Sequence, residues 1–523
     1  MKFKSLLLSV LFSYIMNAQI TEVYDAEWEN KYVNGKFIFK KFDPVHGTEI
    51  WASDGTAAGT NILFDIVPGT GSSNPNYLTV IDDVVYFQTT NTNQIWRTDG
   101  TPGGTYVMVA AGLNDPRDFS KVGDFILFRS GSNNNRKLWK MQTTPNSHQQ
   151  MSTSSIVDVS RFHQLNSSTI LFNVKISGSN QWEIWRTNGN TMAFVADIDT
   201  GNSNQEQLGE SILFNGDLYF SGYSTSIGRE LWKTDGTTSG TVLVADIQNN
   251  DAGSTACFNC SNPFNFQVVG NNLFFAAFNG NSGGVELYKS NGNGASKVKE
   301  INSDGNSNPQ HLTAFNGKLY FLANDEINQK IWQSDGTEAG TFQLTNNPLG
   351  ETLWGFGNII NKIPVFNNHI IYNKLKADFG YEVWKLDLTS GSNSLVMDYN
   401  PGTASFYTFG YFEFNNELYF AGEIQGQVGL KMYKFGQEAL SITNVEEVNT
   451  IKAFPNPTKD ILTLNLLNKE NYSLTVFSAL GQQIPLKIKN NQLDFSNLSS
   501  GIYVVSIKNN IQNKTTHFKI IKQ

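Results

Sequence analysis

Short apolar runs rich in Phe, Tyr, Val, Ile and Leu alternate with clusters of Gly, Asn, Asp and Ser along most of this chain. No stretch repeats its apolar residues at helical spacing over the length of a helix. Runs of this kind, bounded by turn residues, predict β-strands throughout. One unit can be read strand by strand: Gln310 to Phe315, a turn at Asn316-Gly317, Lys318 to Leu322, Lys330 to Gln333, and Thr341 to Leu344. Asn-Gly tolerates positive φ at both turn positions and so favours a two-residue hairpin. The unit is therefore a four-stranded meander.

The unit recurs. Trp51, Trp96, Trp139, Trp185, Trp232, Tyr288, Trp332, Trp384 and Tyr433 hold equivalent places, spaced by subtraction 45, 43, 46, 47, 56, 44, 52 and 49 residues apart. Such a period matches the roughly 40–50 residues of a four-stranded propeller blade. A sheet this small with two apolar faces needs a neighbour on each side, so the expected fold is an all-β propeller of eight or nine blades. The strand-three aromatics are its expected inter-blade packing. After them comes Asp-Gly-Thr-x-x-Gly-Thr, with Asp54, Asp99, Asp235 and Asp335 heading its most regular copies. Asp accepts hydrogen bonds from N–H groups just ahead, Gly takes the left-handed region and Thr braces the loop. A catalytic residue is needed once, so repetition favours a turn device. The turn resembles the Asp-box of sialidase-like propellers, and the repeats resemble the family named for Glu-Leu-Trp-x-x-Asp-Gly-Thr, most fully at Glu230 to Thr237. That family implies an exported propeller and transfers no functional residue.

The two ends set the compartment. Lys2 and Lys4 followed by Leu6 to Phe12 read as a secretory signal over residues 1–18, with cleavage expected between Ala18 and Gln19. Its apolar run is too short to span a bilayer of about 30 Å, and no transmembrane segment is expected elsewhere. The period, taken as residues 19–440, gives way to a linker at 441–450. Residues 451–523 follow, with Pro455-Asn456-Pro457, Leu480-Gly481-Gln482, Leu498 to Tyr503 and a Lys-rich final strand. Alternating strands and polar turns predict a small β-sandwich there. The run resembles the type A C-terminal sorting domain of the type IX secretion system. By that resemblance it partners the secretion machinery on outer-membrane passage, leaving the protein surface-attached or released.

Charge and cysteines narrow the remaining chemistry. A formal net charge of −8 disfavours nonspecific nucleic-acid binding, which needs basic patches. The only two cysteines, Cys257 and Cys260, are expected to form a local disulfide in an oxidising compartment. They lack the context of a redox centre or the further ligands of a zinc site. Six scattered histidines offer no metal pair at short spacing, and no cofactor is expected. Calcium is the one metal weighed. Asp197 to Asn204 alternates oxygen-bearing side chains, but Asp197 is the recurrent end-of-strand Asp and no closing Glu follows, which favours a polar turn.

Neither a Gly-x-Ser-x-Gly elbow nor a phosphate-binding loop is present. A sialidase needs an arginine triad, and of the seven arginines only Arg117 and Arg161 fall near first strands. Arg97, Arg186 and Arg229 fall in the third-strand neighbourhood and read as solvated or snorkelling. In a propeller the channel mouth is lined by first strands and their entry loops, which names Arg117, Arg161, His163, Gln207, Gln310 and His311 as ligand-binding candidates, with channel solvation as the alternative. The expected function is a non-catalytic surface or secreted module binding a glycan, matrix or protein ligand. A structural surface-layer component and a polysaccharide-degrading enzyme acting through carboxylates such as Glu206 or Asp118 are the alternatives.

Overall fold

The computed structural model describes residues 18–25, 31–56, 58–179, 181–199, 201, 204–248, 260–280, 284–303, 305–346, 353–354, 362–399, 402–414, 416–426, 431–437, 453–454, 456–464, 472–478, 482–486, 488–489, 491–509 and 514–523. Most of the expected leader and all of the expected linker lie outside them. Every regular element among the described residues is a β-strand. The chain divides into two compact units, Met1–Glu438 and Ala439–Gln523.

Nine antiparallel sheets make up the described part of the first unit. We number them by their third strands: Gly47–Ser53, Gln94–Thr98, Asn135–Met141, Trp182–Thr187, Gly228–Thr234, Val285–Ser290, Gln329–Ser334, Gly380–Asp387 and Lys431–Gln437. Sheet 5 is typical, pairing Leu208–Phe214, Asp217–Ser224, Gly228–Thr234 and Val242–Ala245 in chain order. Two sheets differ. Sheet 8 has five strands, because Leu353–Trp354 and Val365–Phe366 both pair His369–Lys376. In sheet 9, Phe406–Phe414, Glu417–Ile424 and Lys431–Gln437 are completed by Ala18–Asp25 from the other end of the unit. That strand starts at the last residue of the expected leader.

The core lies between successive sheets. Trp96 of sheet 2 packs on Val33, Ile38 and Ile50 of sheet 1, together with its own Val85 and Phe87. Equivalent apolar clusters join each later sheet to the one before it. Trp51 of sheet 1 meets Tyr419 and Met432 of sheet 9, with Phe37 and Tyr419 ring centroids 5.0 Å apart. The sequence of contacts thus returns to its start. Of the strand-three aromatics, Tyr433 is fully buried, while Trp51, Trp96, Tyr288, Trp332 and Trp384 are nearly so; Trp139, Trp185 and Trp232 are half-buried. Each large ring buries on the order of 150–250 Å².

Two polar devices accompany the rings. In sheet 5, Asp235 Oδ1 accepts from the Thr237 amide (2.8 Å) and hydroxyl (2.7 Å), and that hydroxyl accepts from the Gly240 amide. Gly236 sits at φ +86°, and a Cβ on Gly240 would lie 2.0 Å from Asp235 Oδ1. The same bonds recur at Asp54, Asp99 and Asp335. The second device is the motif glutamate, which sequence reading left without a role. Glu49, Glu230, Glu286 and Glu382 are completely buried. Glu230 accepts from the Ile247 amide (2.7 Å) and from the Ser261 hydroxyl (2.6 Å) and amide. Glu49 and Glu286 do the same with Ser73 and Ser307. Each carboxylate clips a third strand to the segment entering the next sheet. Burial pushes Glu230 and Glu286 up to about 7 against these hydrogen bonds.

The second unit holds two sheets. One pairs Ala453–Phe454, Ile461–Leu464 and Gln492–Asp494; the other pairs Gln483–Ile484, Tyr472–Ser478, Gly501–Asn509 and Lys514–Lys522. Leu462, Leu493, Phe495, Val476, Val505 and Ile520, drawn from both sheets, share one core. Asn456, from the Pro-Asn-Pro opening, donates to the Lys519 carbonyl and accepts from the Ile521 amide, anchoring the entry to the final strand.

Candidate functional site

The first strands break the regularity. Pairing between first and second strands slips at Asn76/Thr79, Arg117/Ser120, Val159/Phe162, Leu208/Ser211, Phe264/Gln267, Gln310/Thr313 and Phe409/Phe412. A slip of this kind is a β-bulge, which re-aims a side chain and often sits beside functional sites. Matched through the second strand, the bulge residues of sheets 2 to 7 are Tyr77, Asp118, Arg161, Glu210, Asn265 and His311. The following position repeats apolar residues in most of these sheets: Leu78, Phe119, Phe162, Phe266 and Leu312. The bulge position changes its chemistry in every sheet.

The backbone is strained there as well. Tyr77, Asp118, Asn265 and His311 have φ of 56°, 59°, 57° and 56°, a region that bulky side chains avoid. Holding such conformations costs on the order of 1–3 kcal/mol each and is characteristic of functional positions. Sheet 9 uses Gly410 at φ 61° in the same place, where no strain arises.

Arg161 and Glu210, bulge residues of adjacent sheets, line one cavity of about 300 Å³ together with Glu206, Ser221 and Arg229. A second cavity of about 420 Å³ shares Glu206 and Arg229 and adds Asp158, Lys175, Trp182 and Asn204. Arg229 is not a solvated strand residue. Its guanidinium donates to the Ser221 and Glu206 carbonyls (3.0 and 2.9 Å) and lies over the Tyr223 ring. Burial lowers its pKa. Burial raises that of Glu206, opposed by Arg161, Arg129 and Arg229. The protein around Glu210 raises its pKa too, although part of the side chain reaches solvent and the Phe266 amide donates to it.

The six residues expected at the mouth do not converge on this cleft. Arg161 lines it. His163, on the same strand, bonds Ser211 Oγ through Nδ1 (2.7 Å), and burial with Arg161 nearby holds it down at about 3, hence neutral. Gln207 stands elsewhere. It is fully buried, its Oε1 accepting from the Ile198 amide and its Nε2 donating to the Trp182 carbonyl and Asp197 Oδ1. It clips sheets 4 and 5 together from the opposite side to the motif glutamates. Arg117 pairs with Asp115 and stacks on Tyr77 in sheets 2 and 3. Gln310 and His311 belong to sheet 7, where the His311 carbonyl accepts from the Ile363 amide. Asp118 forms an ion pair with Arg129.

The Asp197 segment spends its oxygens on the protein. Asp197 accepts from the Asp199 amide, Gln181 and Gln207, and Asp199 accepts from the Gly201 amide and from Thr225. Thr200, Asn202 and Ser203 lie outside the described residues, among which no cluster of three metal-ligating side chains occurs. Cys260 is disulfide-bonded, and Cys257, the only other cysteine of the sequence, is outside the described residues.

Glu210 and Arg229 were missed as site residues. The signal for Glu210 was the alignment of first strands, which needs the bulge register. For Arg229 there was none, since its motif position reads as surface.

Comparison with known proteins identifies the tail. Residues 452–523 match the family model of the secretion system C-terminal sorting domain. The protein is thus an exported one, handled by the type IX machinery and delivered across the outer membrane to the cell surface or the extracellular space. No curated protein matches the chain in sequence. Distant fold likenesses include PorZ, a bacterial surface component of the type IX secretion system of Porphyromonas gingivalis (11% identity, TM-score 0.33, 95% of this chain and 75% of that one). They also include dipeptidyl peptidase 4 of Porphyromonas gingivalis (9%, 0.44, 76% and 64%) and puromycin hydrolase (8%, 0.35, 77% and 58%). The chain thus spans 58% of the length of puromycin hydrolase. None of these likenesses carries a residue role across. No helix among the described residues is long and apolar enough to cross a membrane.

Proposed function

We propose that the nine sheets are the blades of a closed β-propeller, and that this propeller is a non-catalytic binding module for a glycan, matrix or protein ligand. The closed ring is supported by the return of packing from sheet 9 to sheet 1 and by the pairing of Ala18–Asp25 with Lys431–Gln437. In this ring the first strands line the channel.

One observation carries the binding role: the bulge residue differs in every sheet from 2 to 7, beside a motif that otherwise repeats, and in four of these sheets (Tyr77, Asp118, Asn265 and His311) it holds a positive φ. A scaffold position would repeat. Sites where local rules are broken at a cost are where function is expected. The ligand site is the cleft of sheets 4 and 5, with Arg161, Glu206, Glu210 and Arg229. The test is a glycan and matrix-protein array probed with the mature chain, with and without EDTA. Selective binding lost in Arg161→Asn supports the reading. Uniformly blank arrays, or binding indifferent to that change, contradict it.

A further inference from the structure

The two joined cavities of sheets 4 and 5 have a composition that selects among ligands. Arg161 makes no hydrogen bond or ion pair among the described residues, although it sits beside two carboxyl groups in the first cavity. Ser221, only 3% exposed, also lines that cavity, and its hydroxyl has no partner among the described residues. A buried hydroxyl left unpaired is costly and calls for an occupant that can bond it. Glu206 and Glu210 offer acceptor oxygens on the same walls. The second cavity repeats the pattern. Among the described residues, Lys175 bonds only the neutral Asn204 Oδ1 (2.6 Å) and pairs with no carboxylate, and it lies 6.0 Å from the centre of the Trp182 ring.

Besides Arg229, which is spent on the Ser221 and Glu206 carbonyls, each compartment therefore presents one cation that is in no ion pair among the described residues, amid carboxyl and hydrogen-bonding groups. A guanidinium in this state takes a carboxylate in bidentate fashion. The carboxyl groups of Glu206 and Glu210 take hydroxyl donors, and Ser221 pairs with either kind of oxygen. An extended chain with hydroxyls on every unit and carboxylates on successive units meets all of these demands. A peptide does not, because the walls are polar and offer few apolar or aromatic surfaces for side chains.

Building on the cleft as the binding site, we infer that it takes two consecutive units of an acidic polysaccharide, with sugar carboxylates on Arg161 and Lys175 and ring hydroxyls on Glu206, Glu210 and Ser221. The test is calorimetric titration of the mature full-length protein with trigalacturonic acid and with its methyl ester, which keeps the shape and loses the charge. Asn is the residue sheet 6 carries at the same bulge, so Arg161→Asn is expected to fold. The acid should bind at least tenfold more tightly than the ester. Arg161→Asn should weaken the acid by tenfold or more and leave the ester unchanged, and Lys175→Gln should do so to a lesser degree. Acid binding should also weaken with added salt. Equal binding of acid and ester, both weakened by Glu210→Asn, would overturn the acidic specificity and leave the cleft as a neutral-glycan site. Binding of neither would overturn the inference. The cleft itself fails if the arrays are also blank or every array ligand is indifferent to Arg161→Asn.

Discussion

Two parts of the sheets behave in opposite ways. At the third strand and the turn after it, the same chemistry recurs: an aromatic between sheets in all nine, a buried Glu in sheets 1, 5, 6 and 8, and the Asp-Gly-Thr turn in sheets 1, 2, 5 and 7. At the first-strand bulge the chemistry changes each time, from Tyr77 to Asp118, Arg161, Glu210, Asn265 and His311. The comparison separates what holds the molecule together from what it can offer a ligand. Repetition marks the groups whose removal costs stability; variation at the bulge marks those whose removal costs binding.

The comparison can be broken first at its strongest point. Trp332 is 7% exposed in the cluster joining sheets 6 and 7. Trp332→Ala should destabilise by about 3–5 kcal/mol, read from chemical denaturation, whereas a loss below about 1 kcal/mol would mean that the aromatic does not carry the junction.

Next comes the buried glutamate. Glu230→Ala strands the Ile247 and Ser261 amides, for about 1–3 kcal/mol. Its pH dependence has a definite sign. Because Glu230 and Glu286 are raised from 4.5 to about 7 in the folded state, that state holds the proton more tightly than the unfolded chain. Their contribution is therefore greatest below about pH 4.5 and is lost as pH rises through 7. Melting temperature should fall between pH 5 and pH 8, and Glu230→Gln with Glu286→Gln should flatten that fall. An unchanged slope would contradict the assignment.

Smaller effects follow at the turn. Asp235→Ala should cost about 1 kcal/mol. The Thr237 hydroxyl and amide lower the pKa of Asp235, so its contribution is present at neutral pH and lost in acid as the carboxyl protonates. Gly240→Ala should act in the same direction, since its Cβ meets the Asp235 carboxyl. At the bulge, Arg161→Asn should shift stability by no more than about 0.5 kcal/mol.

Much of this was legible in the sequence, for physical reasons. Alternating apolar runs, Asn-Gly turns and the spacing from Trp51 to Tyr433 led to four-stranded sheets, because strand period and turn chemistry are local. The tail was legible from motif runs such as Leu498 to Tyr503. The candidate site was legible only in part. Arg161 was reachable from its nearness to a first strand, but Glu210 needed the bulge register, which only pairing reveals. Gln207 looked like a mouth residue because polarity in a linking segment reads as exposure. Its amide is consumed by Asp197, Ile198 and Trp182, contacts that sequence spacing does not announce. Arg229 illustrates the same limit: its place in the repeated third-strand neighbourhood read as solvated or snorkelling, whereas it lines the cavity and donates to the Ser221 and Glu206 carbonyls.

The most direct test of this division of labour measures stability and ligand binding together in Arg161→Asn and Asp235→Ala, on the mature full-length protein. The account predicts that Arg161→Asn melts with the wild type and loses its array ligand, while Asp235→Ala melts lower and keeps it. A reversed pattern, with Arg161→Asn unstable and still binding, would make the bulge residues scaffold and contradict the account.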